Sequence, residues 1–156
     1  MSNKTKGNFF VVGQFILLAI VVFSPKADAW QVGPWVAAIS SIFLLLGILL
    51  LGLSFANLGR SLTANPVPLE RAQLKTKGAY SIVRHPIYLS LLLMALSSCL
   101  QSQSIATLLA YCSLAVLLNL KARFEEKLLL EKYETYRAYA AEVGRLLPGI
   151  GRLGQS

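Results

Sequence analysis

The chain has 156 residues, of which 55% are apolar and only 14% charged, with a formal charge of +8. That length fits one domain, 1–156, and that apolarity excludes an ordinary soluble one. A basic balance can mean nucleic acid, but here the apolar residues come in long blocks, and basic residues beside such blocks set membrane topology and meet anionic headgroups, so membrane lipids and not nucleic acid are the expected partners.

Lys4 and Lys6 lead into a first apolar block, Phe9–Phe23. With Ala27-Asp28-Ala29 behind it, this block has the outline of a signal peptide with an A-x-A cleavage site. Trp30 and Trp35 favour the alternative, a retained hairpin with an aromatic belt at the interface. The second block, Trp35–Leu58, exceeds by itself the roughly 20 residues that a membrane crossing needs. A polar loop follows, Arg60–Gly78, broken by Pro66 and Pro68 and anchored by Val67, Leu69 and Leu74. A loop of that length is often functional. Blocks three and four, Ile87–Leu100 and Ile105–Leu120, are separated only by Gln101–Ser104 and read as a tight antiparallel hairpin. Beyond Leu120, apolar residues recur at Leu129, Tyr133, Tyr136, Ala140 and Val143, spacings of three and four. That pattern predicts one amphipathic helix continuous with the fourth span, ended by Gly144 and Pro148. The expected fold is therefore all-α: a membrane bundle of about four spans with a C-terminal amphipathic helix. Basic residues cluster before the first block, in the central loop and after the fourth block, so both termini and that loop are expected on the cytoplasmic side. Cys99 and Cys112 lie in separate blocks with no CxxC pairing, and read as buried free thiols.

The chemistry-bearing residues gather at the mouths of the last two spans. Arg84, His85 and Pro86 immediately precede the third block. Proline suits the first position of a helix, and a helix N-terminus beside an arginine and a histidine can hold a carboxylate or phosphate. A snorkelling arginine and an interfacial histidine explain the same residues equally well. Glu125 and Glu126 lie within about two turns of the end of the fourth block. They could hold an ammonium or ribose hydroxyls, although a solvated helix face is the commoner reason for such a pair. Tyr133, Tyr136 and Tyr139 are expected to pack. Gln14 and Asn119 are polar within apolar blocks, as helix–helix hydrogen bonding or function would require. One histidine and no cysteine cluster exclude a His-based metal site, so no metal is expected.

LKTKGAYSIVRHPIY, the hairpin, and RFEEKLLLEKYETYRAYAAEVGRLLP together resemble the isoprenylcysteine carboxyl methyltransferase and phospholipid methyltransferase family. The likeness covers roughly residues 60–150, with 1–58 matching only as two generic membrane helices ahead of a catalytic core, 59–150. It implies a small membrane methyltransferase using S-adenosylmethionine, bound between the hairpin, the loop before it and the C-terminal helix. Gln73, Leu74 and Lys75 then fall in the loop that passes the cofactor. Tyr80, Arg84, His85, Pro86, Ile87 and Tyr88 fall in the G-x-Y-x-x-x-R-H-P-x-Y stretch, and Glu125 falls on a cofactor-binding glutamate. Lys121 stands where the family has an acceptor-side arginine, and Arg123 could substitute for it. A residue, usually glycine, is missing before Glu134.

Methyl transfer from a sulfonium is an in-line displacement, for which alignment and exclusion of water matter most. A carboxylate or thiolate acceptor needs no base, whereas an amine acceptor would make Glu125 or Glu126 the candidate base. A lipophilic acceptor entering from the bilayer is expected, since both motifs adjoin membrane segments. The alternatives are an NADPH-dependent reductase of the sterol-reductase type, a phospholipid amine N-methyltransferase and a non-catalytic membrane adaptor.

Overall fold

The computed structural model describes residues 2–59, 63–68 and 73–154. Five helices form in chain order: α1 Asn3–Phe23, α2 Pro34–Leu58, α3 Pro86–Ser102, α4 Ile105–Lys132 and α5 Tyr136–Glu142, with a 3-10 turn at Gly78–Ser81 before α3. No strand forms among the described residues beyond two isolated bridges. Arg60, Ser61, Leu69 and Arg71 of the central loop lie outside the described residues.

Local chemistry explains the boundaries. The Ser2 hydroxyl accepts from the Thr5 amide, capping α1. Prolines occupy the first position of α2 and of α3, where a missing N–H costs nothing. The α3–α4 connection is shorter than QSQS suggests. Gln101 and Ser102 remain helical, Gln103 turns left-handed at φ 54°, and Ser104 caps α4.

Helices α1, α2 and α4 are long and apolar enough to cross a membrane. Helix α3, with 17 residues, is about 25 Å long and covers most of a hydrocarbon core of about 30 Å. The chain is thus a helical membrane bundle. Helix α2 packs chiefly on α3 and α1 on α4, while α3 joins the two pairs. Small residues let the backbones approach: Ser40, Gly47 and Ser54 recur every seventh residue along α2 and are buried. A Cβ on Gly47 would fall 3.0 Å from the Ser90 carbonyl oxygen of α3. The leucines between them, Leu45, Leu49 and Leu53, face outward, as a lipid-facing surface requires. Helix α1 is built into the bundle. Phe10 packs on Phe124 of α4, and the Ala27 and Ala29 amides bond to the carbonyls of Ser102 and Gln103 at the α3–α4 turn. Cys99 is buried as expected, but Cys112 is exposed on the outer side of α4.

The C-terminal region departs from expectation. The helix does not run unbroken to Val143. It stops at Lys132, Tyr133 is extended at φ −125° and ψ 113°, and α5 starts anew at Tyr136. A spacing of three and four cannot tell one helix from two that bury the same side. The break turns Tyr136 and Ala140 inward, where both are almost fully buried. Beyond α5 the chain crosses back over the start of α3: the Arg84 amide donates to the Gly144 carbonyl and the His85 amide to the Arg145 carbonyl.

Candidate active site

The site forms where the chain enters α3. Gly78 has φ 64°, and a Cβ there would collide with the Asn57 side chain of α2. Glycine is therefore required at this close approach, and Asn57 Oδ1 accepts from the Ala79 amide beyond it. This turn directs Tyr80 inward, and Tyr139 of α5 donates its hydroxyl proton to the Tyr80 carbonyl at 2.5 Å.

Arg84 is engaged on every side. Its Nε and Nη2 donate to Glu126 Oε1 at 2.9 and 2.6 Å, Nη1 to the Ala140 and Val143 carbonyls, and Nη2 also to the Gly151 carbonyl. A guanidinium has five N–H donors, and these bonds account for all of them. The expected anion-binding role does not follow, because this buried charge offers no donor to a ligand. Glu126 is equally occupied. Its Oε1 also lies 3.3 Å from His85 Nε2, and its Oε2 accepts from Arg145 Nε at 2.9 Å. Asn119 accepts from the same arginine at 3.4 Å. Glu126 is 3% exposed and does not itself border the cavity described below.

His85 connects this cluster to the cavity. Its ring stacks on Tyr88 with centroids 5.2 Å apart, and Nδ1 lies 3.6 Å from Glu125 Oε2. Burial disfavours the charged imidazole, but the Glu125 and Glu126 carboxylates more than offset that and raise its pKa above the ordinary 6.5. The Tyr88 hydroxyl donates to Glu125 Oε2 at 2.7 Å, and the Lys121 ammonium lies 5.0 Å from the Tyr88 ring centroid. Lys121 Nζ also donates to Gln14 Oε1 at 2.7 Å, tying α4 to α1.

A cavity of about 460 Å³ opens among these groups, within the size range of small-molecule sites. Gln73, Leu74 and Lys75 line it from the loop, and Tyr80, Arg84, His85, Pro86, Ile87 and Tyr88 from the entry to α3. Glu125 and Lys121 complete it from α4. Every residue that the resemblance placed at the cofactor thus borders one space. Lys121 borders it too, whereas Arg123 is exposed on the far side of α4 and lies outside it.

The cavity also takes in residues that the sequence did not mark. Tyr133, Tyr136 and Tyr139 line it, where only packing was expected. Tyr136 is 1% exposed, and its hydroxyl finds no partner among the described residues. Nothing in the spacing separates such a tyrosine from a packing one. Gln14 had a signal, its polarity within an apolar block, but no sign that it would meet Lys121. Phe15 and Leu18 of α1 and Leu51 and Phe55 of α2 give the wall an apolar part.

Comparison with known proteins places this arrangement. No curated protein and no solved structure matches the chain. A family model described as phospholipid methyltransferase matches residues 35–136, about two thirds of the chain, from the start of α2 to the start of α5. The chain therefore belongs to the phospholipid methyltransferase family of membrane methyltransferases.

Proposed function

We infer that the cavity binds S-adenosylmethionine and a lipophilic acceptor together, and that methyl transfer takes place at the cytoplasmic face of the membrane. One observation carries this reading: residues 73–75, the RHP-x-Y stretch and Glu125, distant in sequence, border a single space whose wall also includes apolar residues of α1 and α2.

The residues fit such a cofactor. Glu125 offers a carboxylate to its amine and its cationic sulfur, and His85, facing Glu125 with Nδ1 and Glu126 with Nε2, holds Glu125 in place. Tyr133, Tyr139 and Leu129 provide flat and apolar surface for the adenine, and the unpartnered Tyr136 hydroxyl suits one of its polar atoms. The bound cofactor supplies an electrophilic methyl group. The chain's own task is to align and to exclude water, which the buried Tyr80 and Tyr88 and the rigid entry to α3 support. Glu126, held by two arginines, keeps His85 in place and takes no part in proton transfer. If the acceptor is an amine, Glu125 is the one carboxylate of the pair that can take its proton.

The acceptor's chain lies against the apolar residues of α1 and α2, where burial stabilises it by about 0.8 kcal/mol per CH₂. Helices α1 and α2 share no extensive interface among the described residues, so the acceptor's chain can reach the cavity from lipid between them. The basic residues at this end of the bundle support a cytoplasmic setting for it.

Equilibrium binding of S-adenosylmethionine and of NADPH to the purified protein tests the reading. Wild type should bind the former, and His85→Ala should weaken that binding about tenfold or more, because Glu125 loses the charged partner that holds it at the cavity. Binding of NADPH alone would refute the proposal.

A further inference from the structure

Leu147-Pro148-Gly149-Ile150 has the residues of a type II turn: proline second and, third, a glycine, here at φ 75°. The Ile150 amide donates to the Leu147 carbonyl at 3.1 Å, and the Arg145 amide to the Ile150 carbonyl at 2.8 Å. The backbone of the turn is thus bonded, yet its side chains are not buried. Leu147 is 49% exposed and Ile150 63%. Neighbouring residues fix the depth of the turn. Arg145 reaches Asn119, inside the fourth apolar block, and Leu146 packs on the buried cluster that includes Leu118 and Ala122 of α4. Gly144 and Arg145, just before the turn, pair with Arg84 and His85 at the start of α3. Two large apolar side chains therefore stand outward where the apolar parts of α3 and α4 end, at the boundary of hydrocarbon and headgroups. A charge accompanies them. A Cβ on Gly149 would lie 3.8 Å from Arg152 Nη2, and Arg152 is exposed, with no hydrogen bond or ion pair among the described residues. The turn and Arg152 lie outside the cavity wall.

We propose that this turn is a foot on the membrane surface: Leu147 and Ile150 dip into the acyl chains of the leaflet at this end of the bundle, and Arg152 binds the phosphate of an anionic phospholipid there. The occupant is a lipid surface because α3 and α4 set the depth, and apolar side chains beside a basic one match acyl chains beside phosphates. The foot is joined to the ion cluster. Gly151, between Ile150 and Arg152, gives its carbonyl to Arg84 at 2.8 Å, and Arg145 holds Glu126 at 2.9 Å. Lipid that seats the turn thereby holds the C-terminal segment onto the entry to α3, so the stability of the fold responds to the lipid.

The test places the full chain in nanodiscs of dioleoyl phosphatidylcholine, alone or mixed with dioleoyl phosphatidylglycerol. The first readout is depth. Ile150→Cys, in a Cys99→Ala, Cys112→Ala background, carries a nitroxide. Its relaxation by oxygen, which concentrates in acyl chains, is compared with its relaxation by a water-soluble nickel chelate. Oxygen should dominate. A nitroxide relaxed chiefly by nickel would stand in water and overturn the foot, and dipolar broadening between labels would seat the turn on a second copy and overturn it too. The second readout is the thermal midpoint. Phosphatidylglycerol should raise it in wild type, and Arg152→Gln should cut that gain by about 2–4 °C, the scale of one basic residue at an anionic surface. Lys127 is exposed on α4, six residues or about 9 Å beyond Lys121 and away from the apolar block. Lys127→Gln should therefore reduce the gain less than half as much. Arg152 and Lys127 are both exposed, so neither variant disturbs the interior. No gain in wild type, or equal losses in the two variants, would overturn the headgroup contact. Neither readout involves a cofactor or an acceptor, so the outcome is independent of the methyltransferase reading.

Discussion

The cavity wall and the ion cluster behind it are built from neighbouring residues, yet they treat charge in opposite ways. In the cluster every charged group is matched: Arg84 and Arg145 hold Glu126, and backbone carbonyls take the remaining donors of Arg84. In the wall, Lys121 contacts an amide oxygen and a ring face rather than a carboxylate, and the Tyr136 hydroxyl lacks any partner among the described residues. Glu125 and Glu126 show the division most sharply. Adjacent residues on a helix point about 100° apart. That rotation sends Glu126 into the interior of the fold and leaves Glu125 half-buried at the cavity. Saturated charge holds structure, whereas unsaturated charge awaits a ligand.

The largest effect should come from breaking the cluster. Glu126→Ala strands the Arg84 guanidinium in the interior, and removing one partner of a buried pair costs about 3–5 kcal/mol. The variant should lose its folded, monodisperse form in detergent, or unfold at a much lower temperature. A thermal midpoint within a degree or two of wild type would dissolve the distinction between cluster and wall.

The mirror-image variant is Glu125→Gln. Its amide oxygen can still accept from Tyr88, so stability should change by less than about 1 kcal/mol. Cofactor affinity should nonetheless fall about tenfold, because the charge facing the ligand is gone. A variant that unfolds like Glu126→Ala would move Glu125 into the cluster.

His85 stands between the two regions, and pH reads its allegiance. Its folded pKa is raised, burial being outweighed by the Glu125 and Glu126 carboxylates. A raised pKa means that the folded state favours the proton. The stabilisation is fully present below the ordinary value of 6.5 and is lost as pH rises through the folded value. The stability gap between wild type and His85→Gln should therefore be widest near pH 6 and narrow in alkaline solution. A gap that grows with pH would show the imidazole to be held neutral.

Much of this was legible in the sequence, for identifiable reasons. Block lengths and prolines located the helices, because both act locally. The residues that border the cavity from the loop, the RHP-x-Y stretch and Glu125 could be named because the resemblance fixes them by spacing. The sequence could not separate Arg84 from His85, since which one faces the ligand depends on carbonyls supplied from Ala140 to Gly151, more than fifty residues away. For the same reason α5 was invisible as a separate helix: its break at Tyr133 is set by what Tyr136 packs against. Gln14 and Lys121 are 107 residues apart, and only the pairing of α1 with α4 brings them together.

Tyr136→Phe is the subtlest probe, because its two effects should have opposite signs. The hydroxyl is buried and has no partner among the described residues, so the free protein bears the cost of removing it from water. Phenylalanine keeps the ring, its edge contact with Tyr139 and its place in the wall, and dispenses with that cost. The free protein should gain up to about 1 kcal/mol of stability. If the hydroxyl meets a polar atom of the cofactor, affinity for S-adenosylmethionine should fall several-fold in the same variant. Thermal unfolding measured with and without cofactor separates the two: the free midpoint should rise and the ligand-induced shift should shrink. A tyrosine that only packs would show the first change without the second. A lower free midpoint would mean that the hydroxyl is satisfied in the free protein, and that it belongs with the cluster.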